Sequence, residues 1–281
     1  MANKKKFWIF SSLALLLSGL MIFVIAMSVN GWDFNKLSTT EYQTNTHEIS
    51  QDFSEILIDT NTADVVFLKA TDGKTKVVCY EEESLCHAVQ VENGKLTIRK
   101  TDTKKWHQYI GFHFESPKIS VYLPQTAYAS LSIETDTGDV ALDGFTFEKL
   151  AVETDTGDIR LKNLSANAVN LSVETGDIEL YNLTCSSLRV ESDTGDVELT
   201  KVVANESFVI ETDTGDVSFA RCDAKNIFIE TDTGDVEGTL LSGKSFTAIS
   251  RTGDVEVPPS ATDGRCEIRS DTGDIEIEIA K

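Results

Sequence analysis

From residue 137 onward the tripeptide Thr-Gly-Asp occurs eight times, and its glycines, Gly138, Gly157, Gly176, Gly195, Gly215, Gly234, Gly253 and Gly273, are 19 or 20 residues apart throughout. A fixed period of this length marks a repeat architecture, in which each unit is one supersecondary element too small to bury its own apolar face. Around every glycine apolar residues alternate with polar ones, so each unit reads as two strands flanking a tight turn. Seven residues before glycine stand Leu131, Leu150, Val169, Leu188, Phe208, Ile227, Phe246 and Cys266, and five before it stand Ile133, Val152, Leu171, Val190, Ile210, Ile229, Ala248 and Ile268. Two residues after it every unit has Val or Ile, as a column of stacked strand residues favours. Glycine supplies the positive φ of a tight turn, and the Asp that follows is expected to hydrogen-bond its own backbone there. Stacking the units in register is the arrangement that buries every column at once. The expected fold is therefore all-β, a parallel β-solenoid of about eight coils lying ~4.8 Å apart.

The stretch before the array is related to it. Ile56, Ile58, Asp64, Val65 and Phe67 fit the coil template with Ala63 in the glycine place. Residues 48–130 thus read as a degenerate first coil and a β-rich N-terminal cap, with Asn93-Gly94 as a hairpin turn. Such atypical ends keep open sheets from pairing with other chains, and Glu276 and Glu278 on the last strand are expected to do the same at the far end. Residues 131–281 are the repeats, and the polar stretch 31–47 reads as a linker.

Phe7 to Val29 carries no charge and is long enough to cross a hydrocarbon core of about 30 Å, with Lys4, Lys5 and Lys6 preceding it. Residues 1–30 read as a cytoplasmic basic tip and one transmembrane helix, which makes the chain a single-pass cell-membrane protein with everything after Asn30 extracytoplasmic. A cleaved signal peptide, with Ala26-Met27-Ser28 as its small-residue site, is the competing reading. Beyond the span the chain carries 46 acidic residues against 22 basic. Such a field repels nucleic acid and anionic lipid and attracts cations and cationic peptides, which argues against nucleic-acid binding.

The recurring Glu-Thr-Asp-Thr-Gly-Asp-Val, as at Glu134 to Val140, Glu211 to Val217 and Glu230 to Val236, resembles the repeat of the bacterial putative-adhesin family of β-strand-repeat domains of unknown function. That family includes the LiaG-type membrane proteins of the cell-envelope stress response. The resemblance covers roughly residues 48–281 and implies a β-solenoid ectodomain, no known catalysis, and an association with envelope sensing or adhesion. It supplies no functional residues to carry over.

The outward positions two before glycine (Asp136, Asp155, Asp193, Asp213, Asp232) and one after it (Asp139, Asp158, Asp196, Asp216, Asp235) form acidic columns. Carboxylates about 4.8 Å apart repel by about 1 kcal/mol in water and more near a protein surface. Calcium, backbone hydrogen bonds or partial protonation would relieve that repulsion, so these ten residues are the candidate metal ligands, with Ca2+ the candidate ion, against the plainer reading of hydrated turn residues. Basic and aromatic side chains gather in one insertion, where Trp106, His107, Tyr109 and Phe112 are candidate partner-binding residues or, more plainly, a cap hairpin that closes the solenoid. Cys79 and Cys86 are placed to pair as a disulfide across a hairpin in an oxidising exterior.

No catalytic residue or cofactor is assigned, for the chain has no Gly-x-Ser-x-Gly elbow, phosphate loop or dinucleotide fingerprint, and its four His show no metal-ligand spacing. The leading reading is a non-enzymatic membrane-anchored module, adhesin-like or engaged in envelope-stress sensing, whose partner is an envelope protein, a glycan or a cationic peptide. The alternatives are a calcium-dependent polysaccharide-active β-helix enzyme and an acidic trap for cationic peptides.

Overall fold

The computed structural model describes residues 2–29, 31–32, 42–83, 85–102 and 116–280, in two compact units of which the first carries the N-terminal helix and the second the strands. The helix is Ala2–Val29. Leu15, Leu16, Leu17, Leu20, Met21 and Ile22 are all exposed, so the helix is apolar on every side rather than along one stripe. Its Phe10–Val29 segment is long and apolar enough to cross a membrane.

The second unit is the parallel β-solenoid that the repeat predicts. In each coil the residues before the turn form one strand and those after it a second, and both pair in register with the coils above and below. Leu150 lies between Leu131 and Val169, and Ile159 between Val140 and Ile178. The two strands converge on a core in which the repeat columns are buried to within a few per cent, except in the Gly253 coil, where Phe246 and Ala248 are half-buried and Val255 is exposed. At about 25 cal/mol per Å2 this burial is the main term holding the coils together, since no coil has a core of its own.

Stack order departs from chain order at both ends. Arg265–Thr272 lies between the strand of the Gly234 coil and Ser245–Thr252, with Cys266 opposite Ile227 on one side and Phe246 on the other. The last coil of the sequence is thus second from the end of the stack, and the Gly253 coil is outermost. The other end mirrors this. Glu55–Thr60 and Asp64–Lys69 are held between the Gly138 coil on one side and Lys95–Asp102 with Lys118–Leu123 on the other. Beyond them Thr75–Glu82 and Leu85–Glu92 run antiparallel and close the end, with Asn93 and Gly94, both at positive φ, turning the second hairpin.

Two expectations are corrected, and one position departs from its column. Glu276 and Glu278 do not guard the rim alone, because Ile275–Ile279 is paired on one side by Val236–Leu240 and partly covered on the other by Val255–Glu256. The edge belongs to the Gly253 coil, whose Val255 is 42% exposed for that reason. Within the stretch read as linker, Tyr42–Ile49 is a strand that pairs with Thr75–Glu82, because its inward positions alternate with exposed ones. Leu241, seven after Gly234 in the position where Phe145, Leu164 and Leu183 are buried, is 43% exposed; the pairing shifts between Phe219 and Cys222, and Leu240 takes the place opposite Cys222.

A second corner, six residues after the glycine in the first five coils, also needs a left-handed residue. Gly144, Asn163, Asn182, Lys201 and Arg221 occupy it at φ of 81°, 54°, 54°, 57° and 54°. Asn182 donates from Nδ2 to Oδ1 of Asn163 at 2.8 Å, and Asn163 to Asp143 at 2.8 Å, which is how a non-glycine residue is accommodated there. Lys201 has no such local bond to offer. Lys201→Asn is expected to raise stability by about 0.5–1 kcal/mol, read as a higher urea midpoint at unchanged slope.

Candidate functional site

Along the turn edge, the Asp after each glycine does something the sequence does not reveal. Its Oδ1 accepts the main-chain N–H of the equivalent Asp in the next coil, not of its own turn. Asp64 accepts from Asp139 at 3.1 Å, Asp139 from Asp158 at 3.0 Å, and Asp158 from Asp177 and Asp177 from Asp196 at 2.9 Å. The series continues through Asp216 and Asp235 to Asp274 and ends on Asp254, following the stack order rather than the chain order. Each bond satisfies a donor at the sharp corner, and charge-assisted bonds to N–H are among the stronger ones. Of the reliefs open to stacked carboxylates, backbone hydrogen bonding is therefore built in.

The ladder does not use Oδ2, which meets Arg160 on Asp139 and Asp158, and Asp196, Asp216 and Asp235 are exposed. The column two before glycine, Asp136, Asp155, Asp193, Asp213 and Asp232, is exposed throughout. These ten candidate ligands thus lie on one edge, in two parallel lines. Basic residues meet that edge at a few points: Arg160 reaches Asp139, Asp158 and Glu179, Arg251 pairs with Asp271, and Lys100 lies 3.8 Å from Asp136. As exposed pairs they contribute about 0–1 kcal/mol each.

Three residues before glycine, next to the exposed line, is a buried column of hydroxyls, broken by Val173, that the apolar pattern did not disclose: Thr60, Thr135, Thr154, Ser192, Thr212, Thr231 and Ser270. At the far end its hydroxyls donate to turn carbonyls of the adjoining coil, Ser250 to Gly273 at 2.7 Å and Ser270 to Gly234 at 3.3 Å. At the cap the column ends on Thr60, whose Oγ1 lies 2.8 Å from Nε2 of His87. Nδ1 of His87 is 2.7 Å from Oε2 of Glu81, which also accepts the His87 main-chain N–H at 2.8 Å. Asn45 Nδ2 donates to the other oxygen, Oε1, at 2.6 Å. Burial pushes the Glu81 carboxyl up, but the bonds from His87 and Asn45 outweigh it and hold the group below the ordinary glutamate range.

Cys79 faces the same cluster from the strand that carries Glu81, and burial, reinforced by the Glu81 charge, raises its thiol to about 12. Cys86 has a free thiol like Cys79; its Sγ accepts from Gln43 Nε2 at 3.4 Å and donates to the Glu83 carbonyl at 3.3 Å. The signal for this cluster is in the sequence: Cys79 and Glu81 are two apart on a strand, hence on one face, and His87 follows the turn. Trp106, His107, Tyr109 and Phe112 lie outside the described residues.

Three comparisons bear on this arrangement. No curated protein matches the chain. Among solved structures, a putative adhesin from Bacteroides fragilis is similar at TM-score 0.58 and 18% identity, over 85% of this chain and 97% of that one. A second putative adhesin, from Parabacteroides distasonis, is similar at TM-score 0.55 and 16% identity, over 85% and 98%. At such identities the likeness is one of fold. The Toastrack DUF4097 domain matches residues 53–207 and 203–281. That span takes in the whole coil stack from its first strands to its last, so the chain belongs to the Toastrack DUF4097 family.

Proposed function

We propose that the chain is a non-enzymatic, single-pass envelope protein whose extracytoplasmic solenoid is an adhesin-like interaction module, and that the double line of carboxylates along its turn edge is the surface that meets the partner. The exposed column Asp136, Asp155, Asp193, Asp213 and Asp232, repeating at the coil spacing beside the Asp ladder, carries this reading. A ladder of fixed negative charge suits a cationic partner, a peptide or a protein segment with spaced Lys or Arg, because steering by such a field is strong and salt-dependent. The apolar helix supports membrane attachment, which holds the edge at the cell surface. Calcium belongs to the same proposal as a competing occupant of the free carboxylate oxygens.

The test uses the full chain in detergent with a cationic peptide probe. Replacing Asp155, Asp193, Asp213 and Asp232 by Asn leaves the inter-coil ladder intact and is expected to weaken binding at low salt by about 10-fold or more and flatten its salt dependence. Millimolar calcium is expected to raise the melting temperature of the wild type beyond what sodium of equal ionic strength does, and to do so less in the variant. Unchanged peptide affinity in the variant rejects the acidic edge as the binding surface; equal melting temperatures in calcium and sodium reject the calcium reading.

A further inference from the structure

The cap cluster has no part in the acidic edge and is built differently from anything in the coils. A Cys, a Glu and a His, 0%, 1% and 8% exposed, bring Sγ, a carboxylate oxygen and a ring nitrogen to within 4.8 Å of one another. A buried His–Glu pair beside a thiol is a weak stabiliser on its own, since desolvation offsets most of its attraction. What stands out is how the remote atoms are held: His87 Nε2 by the Thr60 hydroxyl and Glu81 Oε1 by Asn45, leaving Nδ1, Oε2 and Sγ facing inward. Ligand atoms converging while their far sides are fixed by hydrogen bonds is the pattern of a metal centre with its supporting partners.

The geometry points to a closed transition-metal site in the cap, formed by Cys79, Glu81 and His87, with Zn2+ the ion its donors suit and Thr60 and Asn45 orienting the ligands. Sulfur and imidazole together with a carboxylate select a borderline late first-row ion, whereas calcium takes oxygen alone. Ligand bonds of about 2.0–2.3 Å place tetrahedral donors roughly 3.3–3.7 Å apart, so the His87–Glu81 contact has only to open from 2.7 Å. Cys86, next to His87 in the chain, has its thiol engaged by Gln43 and the Glu83 carbonyl, so Cys79, Glu81 and His87 are the protein ligands. The order hydroxyl, imidazole, carboxylate also matches a nucleophilic relay, but Thr60 is 1% exposed and the adjoining cavity is about 20 Å3, the room of a single water, so no substrate reaches it.

The test titrates the full, metal-stripped chain in detergent with Co2+, under reductant and with excess Ca2+ to occupy the outer carboxylates. A thiolate-to-cobalt charge-transfer band that saturates at one ion per chain and is abolished by Zn2+ is expected. Cys79→Ser should lose the band. Thr60→Val keeps every ligand and should weaken Co2+ binding roughly 10- to 100-fold, while Glu148→Gln, at an exposed carboxylate outside both acidic lines, should leave it unchanged. The wild-type spectrum decides even where Cys79→Ser does not fold. No charge-transfer band in the wild type, a band that survives in folded Cys79→Ser, or Co2+ binding that Ca2+ removes would each overturn the site.

Discussion

Gly195→Ala is expected to cost about 3–5 kcal/mol and to split one unfolding transition into two. A Cβ at Gly195 would sit 2.0 Å from the carbonyl oxygen of Gly176 and 2.6 Å from its carbon. Those atoms are backbone, locked on both sides by inter-coil bonds such as Gly176 to Thr194 and Gly195 to Thr214, at 2.9 and 3.0 Å. The overlap is therefore relieved only by prising two coils apart, on top of the strain of an L-residue at φ 140°. Because each coil meets only its neighbours, a break at one interface uncouples the stack on either side of it. Gly73 separates the two contributions: its φ is 72°, and nothing lies within 4 Å of the place a Cβ would take. Gly73→Ala should thus cost only about 1 kcal/mol with a single transition. Equal losses for the two variants in urea unfolding would show that the turn needs glycine for its φ alone.

Raising the pH is expected to unfold the solenoid steeply above about pH 10. Burial pushes the thiols of Cys79, Cys185 and Cys266 up to about 12 and that of Cys222 to about 11. A thiol is charged above its pKa, and in the unfolded chain that happens near about 8.5–9. From there up to the folded value the native state holds protons that the unfolded state has released, so stability is intact below this window and falls as pH rises through it. The slope is about 1.4 kcal/mol per pH unit for each thiol, hence about 5 kcal/mol per unit for four, against a total of only about 5–15 kcal/mol for an ordinary domain. Cys185→Ala tests the source: the following coils have Ala204 and Ala224 in the same column, and Cys185 pairs directly with Ala204. In metal-free buffer, urea midpoints of this variant should fall less steeply between about pH 8 and pH 10 than those of the wild type. Identical slopes would mean that Tyr or Lys titration, not the buried thiols, drives the loss.

What could be read in the sequence was whatever repeats within one coil. The columns through Leu131, Ile133 and Val140 follow from alternation alone, and the structure keeps them. What depends on a neighbouring coil was read only in part. Glycine at the turn was legible from its φ, but not from the carbonyl 2.0–2.4 Å away in the adjoining coil. Asp139 was legible as a turn residue, but its bond crosses to Asp158. The second corner hid because five residues of four kinds, Gly144, Asn163, Asn182, Lys201 and Arg221, share one conformation without sharing a sequence. The swapped end coils left no trace at all, since a shared template fits any neighbour equally well. In the cap the His87 cluster escaped because it joins three strands and a residue of the repeat, Thr60, that elsewhere only closes a turn.

The exchanged order of the outer coils bears on how the chain matures. Residues emerge from a ribosome from the N-terminus onward, so the Gly253 coil emerges before the Gly273 coil on which it rests. Until the final residues arrive, the outermost layer has no permanent seat. The finished rim therefore reports that the Gly273 coil has been made. A chain cut short before Arg265 either leaves its last coil adrift or docks it on the Gly234 coil in a non-native position, and in both cases exposes to quality-control proteases a surface that the full-length protein never presents.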